Sequence, residues 1–301
     1  MPLFDRIVVV DWSASARPAV GADSIWVADL EVASGAVAVV NHPTRAIARE
    51  ALVAIALQRE RTLIGFDFPL GYPRGTAASA GLDGTPWEAM WHHLASRIVD
   101  DDRNRSNRFE VAADLNRRMA ARRFWGAPAA RTSEWLTRTK TKPFPEPDKR
   151  LTEQRMRFPS TAWQLFGVGS VGSQSLTGIP VAHHLRTHAE LRDVTRVWPF
   201  DTGLRPPAAV PGEHSVVLTE VWPSMVQCGQ VSHEIKDARQ VIALARWLVD
   251  RDRRGELAAL FTPQVDDRAA VDVVVDVVVD VVVDVVVDVV VDEEGWVLGV
   301  P

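Results

Sequence analysis

A chain of 301 residues, 47% hydrophobic and 24% charged, has the make-up of a globular protein with room for one sizeable domain or two small ones. Its single cysteine, Cys228, excludes an internal disulfide and a thiolate zinc cluster, and fits a reducing cytoplasm. A formal net charge of −5 argues by itself against a nucleic-acid binder, but the charge is uneven: residues 97–157 hold 16 Lys or Arg against 9 Asp or Glu, and residues 272–294 hold 8 acids and no base.

The chain opens on Met1-Pro2-Leu3-Phe4-Asp5 with no basic n-region and no long apolar stretch, so no signal peptide is expected. Arg6 to Asp11 is a short β-branched run that reads as a buried strand. Residues 24–31 and 36–40 read as two more strands, with Ala33-Ser34-Gly35 as a hairpin turn. Thr44 is placed to cap a helix over 46–57, and a further apolar run, 62–67, ends in Asp67. The order β-β-β-α-β predicts a parallel pair added to an antiparallel hairpin.

From Trp87 to Arg157 the pattern is helical and basic, broken by Pro128 and by the proline-rich residues 142–147. Strands are expected at 194–200 and 215–222, and a helix at 236–250 with Val241, Leu244, Trp247 and Leu248 on its apolar side. The implied plan is a first part of a core (1–86), a helical insertion (87–190), a second part of the core (191–265) and a low-complexity tract with a tail (266–301). In that tract an aspartate recurs at every fourth position from 272 to 292. A strand of that pattern would overrun a domain, and as a helix its acidic stripe would drift, so an irregular or disordered loop is expected. The same aspartates exclude a membrane helix, and no membrane partner is expected.

Asp11 and Asp67 leave their strands as carboxylates, and two such acids can share a metal ion; capping a loop is the alternative. Residues 167–172 match G-x-G-x-x-G, yet Ala162 to Phe166 is a poor strand, which leaves a flexible turn or a phosphate loop using backbone amides with Ser170 and Ser173. Asp11-Trp12-Ser13-Ala14-Ser15 with Asp201-Thr202-Gly203 is similar to the two phosphate loops of actin-like and sugar kinases, although a glycine-rich adenosine loop is lacking. His184 and His188 have a spacing that can bind zinc, without a following Glu, and read as a helix-surface pair. In the basic segment Phe109, Phe124, Trp125, Trp135, Phe144 and Phe158 interleave with cations such as Arg105 and Arg108, a mixture suited to phosphate contact and base stacking; solvated helix faces are the alternative.

Taken together, Val10-Asp11-Trp12-Ser13, Phe66-Asp67-Phe68-Pro69-Leu70-Gly71, Thr219-Glu220-Val221-Trp222-Pro223, Ile235-Lys236-Asp237-Ala238 and the ending Glu294 to Gly299 resemble an uncharacterised bacterial family of predicted RNase H-like nucleases. The valine-aspartate tract matches nothing in that family's pattern and reads as an insertion. The resemblance implies an α/β fold, an RNase H-like mixed sheet (β-β-β-α-β core) with a helical, basic insertion. It implies a metal-dependent phosphoryl-transfer enzyme, a nuclease, acting on nucleic acid or a nucleotide. Asp11 would be the bridging ligand for Mg²⁺ or Mn²⁺, Asp67 and Glu220 supporting ligands from neighbouring strands, and Asp237 a ligand at a helix start. Ser13, Arg105, Arg108, Ser170 and Ser173 would then contact substrate. Other readings on the same fold are a nucleotide-binding or actin-like kinase-type protein, a role linked to molybdopterin guanine dinucleotide synthesis, which some members of the family carry as a label, or a non-catalytic binding protein.

Overall fold

Ile7, Val8, Val9 and Val10 are all buried, so β1 (Arg6–Asp11) lies inside a sheet covered on both faces. The computed structural model describes residues 1–157, 159–167, 170–208, 210–265 and 286–301. In it β1 pairs antiparallel with β2 (Ile25–Glu31), and β2 antiparallel with β3 (Val37–His42). Helix α1 (Arg45–Ala56) follows, its first turn capped by the Thr44 hydroxyl, which accepts the Ile47 N–H at 3.3 Å. The chain then returns as β4 (Arg61–Phe66), parallel to β1. Parallel strands β5 (Thr195–Val197) and β6 (Ser215–Glu220) complete a six-stranded mixed sheet of order β3-β2-β1-β4-β6-β5.

The two-residue period of the strands divides the core. Val8, Val10, Ile64, Phe66 and Leu218 point to one face and pack with residues of α1, α3 (Pro86–Arg97), α4 (Arg108–Arg118) and α6 (Gly172–Thr187); α2 (Thr76–Ser79) and α5 (Leu151–Arg155) are single turns. Ile7, Val9, Leu63 and Val217 point to the other face, under α7 (Lys236–Arg253). Gly178 lets α6 lie directly on the sheet side, since a Cβ there would sit 2.3 Å from the Phe68 ring.

Several elements differ from expectation. The strand expected at 194–200 stops at Val197, because Pro199 has no N–H to give a ladder and the Asp201 carboxylate takes the Val197 N–H at 2.8 Å. The strand expected to reach Trp222 ends at Glu220. Within 87–157 only α3, α4 and α5 are α-helical, and residues 119–150 are irregular apart from one short 3₁₀ turn. Helix α6 is longer than the histidine spacing suggested, and it contains Pro180.

Of the valine-aspartate tract, residues 266–285 lie outside the described residues. Its end, Val286 to Glu294, is helical rather than an irregular loop, and burial overrides the weak helix propensity of valine: Val286 and Val290 are buried. The Glu293 carboxylate accepts the N–H groups of Gly75 (2.5 Å) and Ala77 (2.7 Å), and Glu294 those of Arg74 (2.9 Å) and Leu151 (2.6 Å). Trp296 follows, fully buried with its indole N–H on the Val300 carbonyl, and Leu298 donates to the Glu220 carbonyl at 2.9 Å. The chain beyond the tract is therefore core. Among the described residues no helix is long and apolar enough to cross a membrane.

Trp296→Ala should lower stability by about 3–5 kcal/mol in urea unfolding. A loss under about 1 kcal/mol would mean that the C-terminal segment is not part of the cooperative core.

Candidate functional site

Strands β1 and β4 run parallel with Val10 opposite Phe66, so the next residue of each, Asp11 and Asp67, emerges side by side at the C-terminal edge of the sheet. The two carboxyl groups lie within hydrogen-bonding reach of each other. The Trp12 N–H donates to Asp67 Oδ1 at 2.8 Å, and the Asp67 N–H to the Val10 carbonyl at 3.1 Å, which fixes the β4 exit against that of β1. Burial raises the pKa of both acids. Repulsion from Asp67, Asp237 and Asp23 raises Asp11 further, while the Trp12 N–H partly offsets the rise at Asp67. No Lys, Arg or His of the described residues forms an ion pair with either. The pair therefore retains a proton well above the ordinary carboxylate range.

Asp237 stands in the first turn of α7, on the same face of the sheet, near enough to act on both acids electrostatically. Its Oδ2 accepts the N–H of Asp23 at 2.8 Å, tying the β1–β2 loop to the start of α7. Ser13 serves this loop, donating to the Asp23 carbonyl (2.9 Å) and accepting the Ser15 N–H (3.2 Å). No three or more His, Cys, Asp or Glu side chains among the described residues are grouped so as to hold a metal ion. Asp11 and Asp67 are the converging pair, and Asp237 is a neighbour.

Glu220 does not join them. It lies opposite Phe66 in the β4–β6 register, one residue out of phase with Asp67, and the alternation of strand side chains sends it to the other face. There Arg150 grips both of its oxygens at 2.7 Å and the Leu70 N–H reaches it at 3.1 Å. Arg150 also holds Glu153 at 2.8 Å and donates to the Glu294 carbonyl at 3.0 Å, with its side chain 1% exposed. Burial alone would pull the Arg150 pKa down; the two carboxylates outweigh it and hold the guanidinium firmly charged. The expected supporting ligand is thus half of a buried ion pair.

Of the expected substrate contacts, Arg105 is exposed and paired with Asp101 at 2.6 Å. Much of the basic segment is likewise spent internally: Arg117 and Arg118 on Asp114, Arg131 on Glu110, Lys140 on Asp148, and Arg123 on the carbonyls of Glu146 and Pro147. Phe109 and Phe124 are core, Trp125 and Phe144 pack against it, and Phe158 lies outside the described residues. Arg108 is different. It is buried over the Phe109 ring and donates to hydroxyls only, Ser173 at 3.0 Å and Ser106 at 2.9 Å, and burial with the nearby Arg45 pushes its pKa down to about 10. Ser173 passes its own hydrogen to the Leu165 carbonyl (2.7 Å), and the Ser170 N–H bonds to Gly167 (3.2 Å).

Residues 167–172 run into α6, but no strand precedes them, only isolated bridging through Gln164 and Trp125; Val168 and Gly169 lie outside the described residues. The first turns of α6 reach the β1 exit: the Gln174 amide donates to the Trp12 carbonyl, and the Trp12 indole to Thr177 at 3.2 Å. Asp201 is taken by Arg186 (2.8 and 3.1 Å) and by β5, so its triplet joins α6 to the sheet edge. The His184 and His188 rings meet edge to face, centroids 5.7 Å apart, as a helix-surface pair does. Arg45 and Arg150 carry no sequence signal, since their partners Asp100 and Glu220 lie 55 and 70 residues away.

No protein-family model matches the chain, and neither a curated protein nor a solved structure matches it.

Two outcomes follow from this arrangement. In the unfolded chain both aspartates ionise near pH 4, whereas the folded pair holds its proton, so metal-free stability should fall as pH rises above that range. Asp11→Asn should flatten the fall and raise the melting temperature at pH 8 more than at pH 5. Equal effects at both would deny a shared proton. Glu220→Gln leaves Arg150 undercompensated and should destabilise by about 3–5 kcal/mol in urea unfolding, while Mn²⁺ binding by calorimetry stays unchanged.

Proposed function

We propose that the protein is a metal-dependent phosphoryl-transfer enzyme on an RNase H-like core, a nuclease that hydrolyses nucleic-acid phosphodiesters with Mg²⁺ or Mn²⁺ held by Asp11 and Asp67. One observation carries the reading: the Asp11 and Asp67 carboxyl groups meet at the exits of adjacent parallel strands, and no cation of the described residues pairs with either. The β-β-β-α-β order, the placing of β1 between β2 and β4, and an acid at the start of α7 on the same face support the RNase H-like assignment. So does the resemblance of the strand-end motifs.

The donor set fits a hard divalent ion. Mg²⁺ takes oxygen ligands and keeps several waters, so Asp11 and Asp67, with Asp237 nearby, would be the residues to hold it. When bound, such an ion supplies Lewis acidity and a more acidic water. The chain's own part is to hold the two carboxylates in register through the Trp12 N–H, to give up their shared proton, and to keep Asp237 beside them through the Asp23 N–H.

Asp11→Asn and Asp67→Asn should each abolish Mn²⁺-dependent cleavage of DNA and RNA oligonucleotides while circular dichroism stays native. Activity that survives both aspartate changes, or a wild-type protein that cleaves no single- or double-stranded substrate, would sink the reading.

A further inference from the structure

On the helical side of the sheet, between α1, α3 and α6, lies a cleft of about 420 Å³. Its walls carry Arg45, Arg49, His92, Asp100, His183 and His184. The one acid among its lining residues, Asp100, is held at both oxygens by Arg45 (2.5 and 2.6 Å), so this pair cancels itself. What remains is Arg49, whose contact with Glu50 lies at the surface, and three imidazoles. His92 and His183 stand edge to face with ring centroids 6.3 Å apart.

The surroundings of these rings are cationic. Burial holds the His183 pKa down, and His92, Arg186 and His184 add to it. Burial, Arg49 and His188 hold His184 down, with Glu50 alone opposing. Arg186 is already engaged by Asp201 and Glu88. The cleft is thus lined by nitrogen donors, with burial and neighbouring cations holding His183 and His184 towards their neutral forms. Its volume falls within the range of roughly 300–1,000 Å³ usual for small-ligand sites.

We propose that this cleft binds a small phosphate-bearing ligand, with Arg49, His183 and His184 contacting the phosphate and His92 forming the opposite wall. The site is separate from the Asp11–Asp67 pair and lies on the other side of the sheet. It is not remote from it. Thr177, in the cleft wall, holds the Trp12 indole, and Arg45 donates to the carbonyls of Ser13 (3.0 Å) and Ser15 (2.8 Å), so the ligand would rest against side chains that position the segment leaving Asp11.

The test is calorimetry on the full chain with AMP and with inorganic phosphate, in EDTA to silence any metal route. At least one should bind; AMP alone would add nucleoside contacts to the site, and phosphate alone would confine it to the anion. Arg49→Ala, at a partly exposed position, and His183→Gln should each weaken binding about tenfold or more, the loss expected of a charge-assisted contact. Asp11→Asn should leave binding unchanged. Sulfate should displace whichever probe binds. Binding of neither probe, binding that persists in both cleft variants, or binding lost in Asp11→Asn would overturn the proposal.

Discussion

The in-register parallel pairing of β1 with β4 is the constraint on which the site depends. With Val10 opposite Phe66, the two chains leave the sheet together, and both continue into a carboxylate on the same face. A slip of one residue would send one acid through to the helical face, where it would meet the aromatic core around Phe66 and Phe68. Register is held by burial on both faces, so side chains far from the site, Ile7, Val9 and Leu63 among them, keep the aspartates together. The repulsion this creates is a local instability that the fold sustains.

A second arrangement, on the opposite face, anchors the chain end. Arg150 lies between Glu220, Glu153 and the Glu294 carbonyl, and the Glu293 and Glu294 carboxylates satisfy backbone N–H groups around α2 and α5. Four segments distant in sequence, 74–77, 150–153, 220 and 293–294, thereby share one buried polar network. Such a network is stable only when every member is present, since removing one leaves a charge in a dry interior. The helical end of the valine-aspartate tract, Val286 to Glu294, supplies two of the network's members, Glu293 and Glu294.

The basic segment shows how composition misleads. An excess of cations interleaved with aromatics suggested a surface for a phosphate backbone. Folding pairs most of those cations with local acids or carbonyls and draws Phe109 and Phe124 into the core. Arg108 stands apart because its partners are hydroxyls, and that distinction is invisible until α4 and α6 are brought together.

The sequence by itself determined the β-β-β-α-β order, the hairpin at Gly35, the Thr44 cap, α7, and the positions of Asp11 and Asp67 at strand exits, because each follows from local periodicity and turn chemistry. Only the tertiary structure decided which acids face one another. The family resemblance sets Glu220 beside them, yet its register puts it one residue out of phase and into the grip of Arg150. The partners of Arg45, Arg108 and Arg150, and the cleft between α1, α3 and α6, were equally unreadable, since each depends on contacts between residues dozens of positions apart. Local spacing says which face of an element a side chain takes; which faces meet is settled by packing.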